Sequence, residues 1–504
     1  MSSPISLPPK DTEKLNSFYG LSWPLLIGLV ACLGLLVLTS WQTSVDPDTY
    51  MHLTVGQWIW DHHTIPHQDF FSFTLPGRPW VAHEWLSELL FAMMYRYFGW
   101  TGLVFVLGLC LAVSLAVLIR FLLQRIPPIY AILFTALAYA GLSSHLLIRP
   151  HVLVWPILVL WVTRLVSAIE DHQDPPLYLL GLMTLWANLH GSFIFGLLIT
   201  IPLALDAIIS SPAKMRLKLA KTWGFFGILA VLASVISPLG IKGLLFPFQL
   251  MGLQHLDSIV EWMPSQFTRF NPLELILLVY LCLALLGFLS LSLVRALILV
   301  GLLQQALMHD RYASIFALIA PMLLAQSFGE HYANKMKLKP SSVDFFFARL
   351  SSKASKRSIV TAGAFLIVVA AILGQARHHE PSKLAFPVDA VDFAMKEGVT
   401  GPVLNSYDFG GYLISQKIPV FIDGRVDLYD EKILGPYING VDKGDPKVLD
   451  SLVKEFNITW VLLRPNSLAM KYFDSNPQWK RIYQDDAAVI YVPVNFVYRD
   501  GHWQ

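Results

Sequence analysis

Residues Leu103 to Ile119 read LVFVLGLCLAVSLAVLI, seventeen positions without a charged side chain. A helix of that composition has no polar face to turn to water, and roughly 20 such residues cross a hydrocarbon layer about 30 Å thick. The run has counterparts at Trp23 to Trp41, Val152 to Val162, Phe225 to Ile236, Leu275 to Val294 and Ile359 to Leu373. Over 504 residues the chain is 55% hydrophobic and 14% charged, where soluble proteins are about one quarter charged. The reading is therefore an α-helical polytopic membrane protein with about 11 transmembrane helices. Amphipathic helices are expected in its first outer loop, and a soluble α/β domain at its C-terminus.

The charges that remain give a formal net charge of +2. That balance lacks the concentrated basic face that nucleic acid requires. Cys32, Cys110 and Cys282 all lie in apolar runs, which excludes a disulfide framework in an aqueous loop. The first run follows Lys10 and Lys14 with no small-residue cleavage pattern after it, as an uncleaved anchor would.

Spans are placed near 23–41, 102–123, 128–145, 152–169, 175–188, 192–209, 222–239, 273–293, 295–308, 312–327 and 359–376. One set of connections then carries seventeen Lys and Arg, among them Lys214, Arg216, Lys218 and Lys221. The other carries Arg78, Arg96, Arg149, Lys242, Arg269 and Arg311. The basic side is cytoplasmic, so the N-terminus is expected inside and the C-terminus outside. Residues 1–376 form the membrane domain, with the first outer loop at 42–101, and 377–504 form the outer α/β domain. Strands are predicted at Pro402 to Asn405, Pro419 to Ile422, Thr459 to Leu463 and Ala488 to Val492, and helices at Val388 to Lys396 and Lys447 to Phe456.

Ten of fifteen histidines fall in or beside the outer connections, as do Asp46, Asp48, Glu84, Glu261 and Asp310. None of these residues set the orientation, so their one-sidedness is an independent pointer to function on the outer face. The spans hold few ionisable residues away from their ends, which argues against ion-coupled transport. In the first outer loop Asp48 and His52 are four apart and share one helix face. A carboxylate beside an imidazole suits proton transfer; Asp48 serves equally as a helix N-cap. Asp48, His52, His83 and Glu84 also admit a divalent metal ion, although no HExxH spacing is present. Arg149 with His151, His190, and Arg311 end apolar runs on the same side, where such groups bind phosphate oxygens or snorkel to headgroups. Gly410, Gly411, Asp423 and Arg425 read as turn and packing residues.

The chain resembles the GT-C superfamily of polytopic glycosyltransferases, which use lipid-phosphate-linked sugars, and in particular its bacterial members. The resemblance runs over nearly the whole chain. It rests on Asp46-Pro-Asp48-Thr-Tyr-Met-His52, Asp69-Phe-Phe-Ser72, Trp80-Val-Ala-His83-Glu84-Trp85 and Arg149-Pro-His151. Further matches are Asn188-Leu-His190, Glu261-Trp262, His309-Asp-Arg311, and Asn405 to Leu413 with Phe421 to Arg425.

The resemblance implies a polyprenyl-phosphate-linked sugar donor, a protein, lipid or glycan acceptor, and transfer with inversion. It implies a bacterial inner membrane with the C-terminal domain in the periplasm. It makes Asp48, or Asp46, the catalytic base, with His52 orienting it. Arg149, His151, His190 and Arg311 would bind the donor phosphate, and His83, Glu84, Glu261 and Trp262 the acceptor or substrate. The acidic pair of relatives is two adjacent acids, whereas Thr49 follows Asp48 here, so a role shared by adjacent acids does not carry over, and a divalent metal ion stays open as a cofactor. Two other classes compete: a transporter or flippase of lipid-linked saccharides, and a non-catalytic membrane scaffold.

Overall fold

A computed structural model describes residues 20–252, 262–335, 347–348, 350–351, 353–495, 498–499 and 502–503. The N-terminal segment expected inside and Glu261 lie outside the described residues. A helix lies at each expected span, from Trp23–Leu38 to Lys356–Gln375. Six of the described helices are long and apolar enough to cross a membrane, and Trp23–Leu38, Leu179–Leu189, Pro272–Leu285 and Leu293–Met308 are shorter apolar helices. The span expected at 175–188 is helical only over Leu179–Leu189, about 16 Å at 1.5 Å per residue. Pro175 and Pro176 delay its start, because a residue before proline is pushed out of the helical region. Gly240–Met251 forms a further helix in what was expected to be a connection.

The first outer loop contains the two expected helical stretches. Its first amphipathic stretch is the helix Thr49–His62, which ends on His63 in the left-handed conformation. Met51, Val55 and Ile59 fall on one face and join the core of the C-terminal domain, while Leu53 belongs to the membrane core. The helix is thus a layer between two cores. The second stretch begins the long helix Trp85–Leu122, whose path breaks at Gly99 with φ 58°.

In the C-terminal domain four strands, β1 (Val403–Asn405), β2 (Trp460–Leu463), β3 (Trp479–Gln484) and β4 (Val489–Pro493), form a sheet in the order β1-β2-β4-β3. β1 and β2 are parallel and the other pairs antiparallel. The helices Val388–Lys396 and Pro446–Glu455 stand where the sequence puts them. The strand expected at Pro419 to Ile422 does not join this sheet. Val420 instead bridges to Ser72, with Phe73 N–H donating to Val420 O at 3.1 Å and Val420 N–H to Phe71 O at 3.1 Å. Its backbone groups are satisfied by the first outer loop.

Candidate functional site

Where the two cores meet lies a cavity of about 790 Å³. Asp46, Asp48, His52, His83, Glu84, Arg149, His151, His190, Trp262 and Arg311, dispersed over the membrane sequence, all line it. The C-terminal domain supplies the facing wall with Tyr407, Asp408, Gly424, Asp427 and Arg464.

Asp48 occupies the N-cap position of Thr49–His62, but its carboxylate caps no helix N–H. Asp46 Oδ1 takes the Asp48 N–H at 2.9 Å, and Thr49 Oγ1 donates to Ile148 O at 3.0 Å, tying the loop to the neighbouring corner. That tie brings Arg149 between the two acids: its Nη2 donates to Asp48 Oδ2 at 2.7 Å and its Nε pairs with Asp46. Asp46 is buried and Asp48 half-buried. Asp48 is therefore an arginine-paired carboxylate on the cavity wall, and its capping role falls away.

His52 is turned from Asp48. Its Nδ1 lies 3.2 Å from Glu88 Oε1 and its Nε2 3.9 Å from Glu84 Oε2. The expected orienting contact with Asp48 is replaced by one with Glu88, a residue the sequence reading did not single out. Burial disfavours the His52 imidazolium, but the hydrogen bond to Glu88 and the charge of Glu84 outweigh it and push its pKa up to about 9.

Glu84, just before Trp85–Leu122, is fixed by imidazoles. His190 Nδ1 accepts the Ser192 N–H at 3.0 Å, so a neutral ring carries its proton on Nε2, which lies 3.2 Å from Glu84 Oε1. Burial holds His190 well below the ordinary histidine value. His83 Nε2 approaches Glu84 at 3.7 Å and the ring stacks on Phe246. Burial lowers His83 to about 4, and it raises Glu84 to about 7 against the pull of His52. Among the described residues no group of three or more His, Cys, Asp or Glu is arranged to hold a metal ion. Asp48 is turned to Arg149, and His52, His83 and Glu84 engage one another.

The four groups expected at the donor phosphate line this one cavity, and three of them have protein partners. Arg149 holds the two aspartates, His190 faces Glu84, and His151 Nε2 lies 3.3 Å from His145 O. Arg311 differs. Its guanidinium lies 4.4 Å over the Trp262 ring, and among the described residues it forms no ion pair with a carboxylate.

The outer domain is fastened to this wall by a buried cluster. Arg425 binds Asp423 through Nε at 2.8 Å and Nη2 at 2.7 Å, and Asp69 of the first loop through Nη1 at 2.7 Å. Tyr429 donates to Asp423 Oδ2 at 2.7 Å, and Phe71 and Trp80 lie against the guanidinium. Asp423 and Arg425 are thus packing residues, and what they pack is the first loop against the outer domain. A Cβ on Gly411 would overlap the Pro47 carbonyl, and one on Gly424 the Asp48 carboxylate. The clasp escaped the sequence reading because Asp69 and Arg425 are 356 residues apart; the polar Asp-Gly-Arg run between apolar residues was its sole signal.

Scans against protein families and against curated proteins find no match. Among solved structures the chain is similar to the oligosaccharyltransferase of Archaeoglobus fulgidus in the apo form, at 11% identity and a TM-score of 0.43, over 89% of this chain and 70% of that one. It is similar to the archaeal oligosaccharyltransferase AglB of Archaeoglobus fulgidus in complex with an inhibitory peptide and a dolichol-phosphate, at 12% identity and a TM-score of 0.45, over 88% and 69% of the two chains. A third similar structure is the same organism's enzyme tethered to an acceptor peptide containing the NVT sequon, at 11% identity and 0.40, over 89% and 69%. The cavity residues carry the functional reading.

Proposed function

We propose that the chain is a membrane glycosyltransferase that moves a sugar from a polyprenyl-phosphate donor to an acceptor at the outer face. The observation that carries this reading is the pairing, in one cavity, of Arg311, which forms no ion pair with a carboxylate among the described residues, with arginine-held carboxylates at Asp46 and Asp48. In transfer the bond from the anomeric carbon to the phosphate oxygen breaks and a bond to the acceptor forms. The phosphate leaves with its negative charge, which needs a cation more than a proton. Arg311 supplies it, and the stack on Trp262 holds the guanidinium in place.

The acceptor loses a proton as it attacks, and Asp48 takes it, because a carboxylate within hydrogen-bond reach is the ordinary means. Arg149 holds the Asp48 carboxylate in position through a charge-assisted hydrogen bond of 2.7 Å. Attack from the side opposite the phosphate gives inversion. The outer domain forms the facing wall of the cavity and sets Gly424 against the Asp48 carboxylate.

The test is to incubate the purified protein in nanodiscs with polyprenyl-phosphate-linked sugars and a panel of peptide, lipid and glycan acceptors. Release of free polyprenyl phosphate with a glycosylated acceptor supports the reading. Movement of intact sugar-lipid between leaflets without cleavage would replace it with transport.

A further inference from the structure

The break at Gly99 leaves a second cavity, of about 730 Å³, between the Trp100 end of the long helix and Lys356–Gln375. Its walls are apolar: Trp100, Gly102, Phe105, Ile367 and Ala370, with the small residues leaving the room. Lys356–Gln375 packs little against the rest of the protein, and Ile359, Val360, Ile367, Val368 and Ile372 are exposed along it. In a membrane-spanning helix such a surface faces lipid, so the cavity opens to the bilayer. At one end the lining turns polar with Arg377 and Glu380, whose Nε and Oε1 lie 3.6 Å apart and are exposed. Arg377 follows the C-terminal end of that helix, at the boundary between membrane and water.

An apolar slot with one cation and one anion at its mouth complements a molecule with acyl chains, a phosphate and an ammonium. We propose that this cavity binds one glycerophospholipid with a zwitterionic, amine-bearing headgroup, its chains in the slot, its phosphate on Arg377 and its ammonium on Glu380. The exposed Arg377–Glu380 pair costs little to separate, since such pairs contribute about 0–1 kcal/mol, and the cavity size is that of a specific small-molecule site, about 300–1,000 Å³.

The site also touches the loop that, on the proposed function, carries the base. Trp100 packs edge-on against Tyr50 at 5.3 Å, and Tyr50, two residues beyond Asp48, packs in turn on Phe386 at 4.8 Å and Tyr412 at 5.2 Å. A chain lying on Trp100 therefore steadies the helix that follows Asp48 and the domain above it.

The experiment is native mass spectrometry of the delipidated full-length protein, titrated with phosphatidylethanolamine or phosphatidylglycerol of identical chains. Wild type is expected to retain one phosphatidylethanolamine about tenfold more tightly than phosphatidylglycerol. Ala370→Trp, which fills the slot, is expected to lose retention, and Glu380→Gln to lose the headgroup preference. Glu380 is exposed, so that variant keeps the fold and holds the test open if Ala370→Trp does not fold. Equal retention of both lipids by wild type, or full retention by Ala370→Trp, would overturn the proposal. So would the recovery of a polyprenyl phosphate from the slot.

Discussion

Gly424 of the outer domain lies directly against the carboxylate of Asp48, so closely that a methyl group on its α-carbon would overlap the Asp48 oxygens. The residue proposed as base is in this way covered by a domain that begins more than three hundred residues later in the chain. Substituting Gly424→Ala is expected to displace Asp48 while leaving the domain folded. The transfer rate should fall on the order of 100-fold, the cost of a misplacement of about 1 Å in a reacting group, with a thermal midpoint near that of wild type. A rate within twofold of wild type would show that the contact does not position Asp48.

Arg311 is the cavity cation with no carboxylate partner among the described residues. Removing it should weaken polyprenyl phosphate binding more than it weakens the fold. Arg311→Gln is expected to lower that affinity by about 10- to 100-fold, corresponding to about 1.5–3 kcal/mol for a hydrogen bond to a charged group. Titration calorimetry with polyprenyl phosphate measures it. Unchanged affinity would move the phosphate elsewhere in the cavity.

Arg425 sits 3% exposed between Asp423 and Asp69, which are 0% and 1% exposed. Arg425→Met would strand two buried carboxylates, and removing one member of such a cluster costs about 3–5 kcal/mol. The outer domain should loosen from the first loop, giving faster proteolysis at 377–387 and a lower melting temperature. Asp69→Asn, which keeps a hydrogen-bond acceptor for Arg425, should show a smaller effect.

His52 predicts how stability responds to pH. Burial opposes its charge, but the bond to Glu88 and the charge of Glu84 raise its folded value to about 9, above roughly 6.5 in the unfolded chain. The folded state then holds the proton more tightly. Its contribution is full below about pH 6.5 and is lost as pH rises through about 9. His52→Gln should flatten the decline in thermal stability over that window. A profile identical to wild type would mean that His52 is not protonated in the folded protein.

The helical membrane domain was legible because its signal is local: runs such as Leu103 to Ile119 can hide from water in few other ways. The site was legible in part, since counting Lys and Arg places Asp46, His83, Arg149, His190 and Arg311 on one face without knowing which would meet. The partners were not legible. His52 was read with Asp48 because the two are four apart on a helix, and the structure turns it to Glu88 on the neighbouring helix. Pro419 to Ile422 has strand composition, but its partner is Ser72 in the first loop and not its own sheet. Both misreadings concern contacts between distant segments, which local periodicity does not encode.

Sugar transfer is proposed to occur at the Asp46–Asp48 wall of the cavity. It is tested most directly by purifying wild type, Asp48→Asn and Asp46→Asn and measuring the release of polyprenyl phosphate from labelled sugar donors in nanodiscs. Turnover is expected in wild type, with loss on the order of 100-fold or more in Asp48→Asn and a smaller loss in Asp46→Asn, where Arg149 keeps its pair with Asp48. Full turnover in both variants would contradict it.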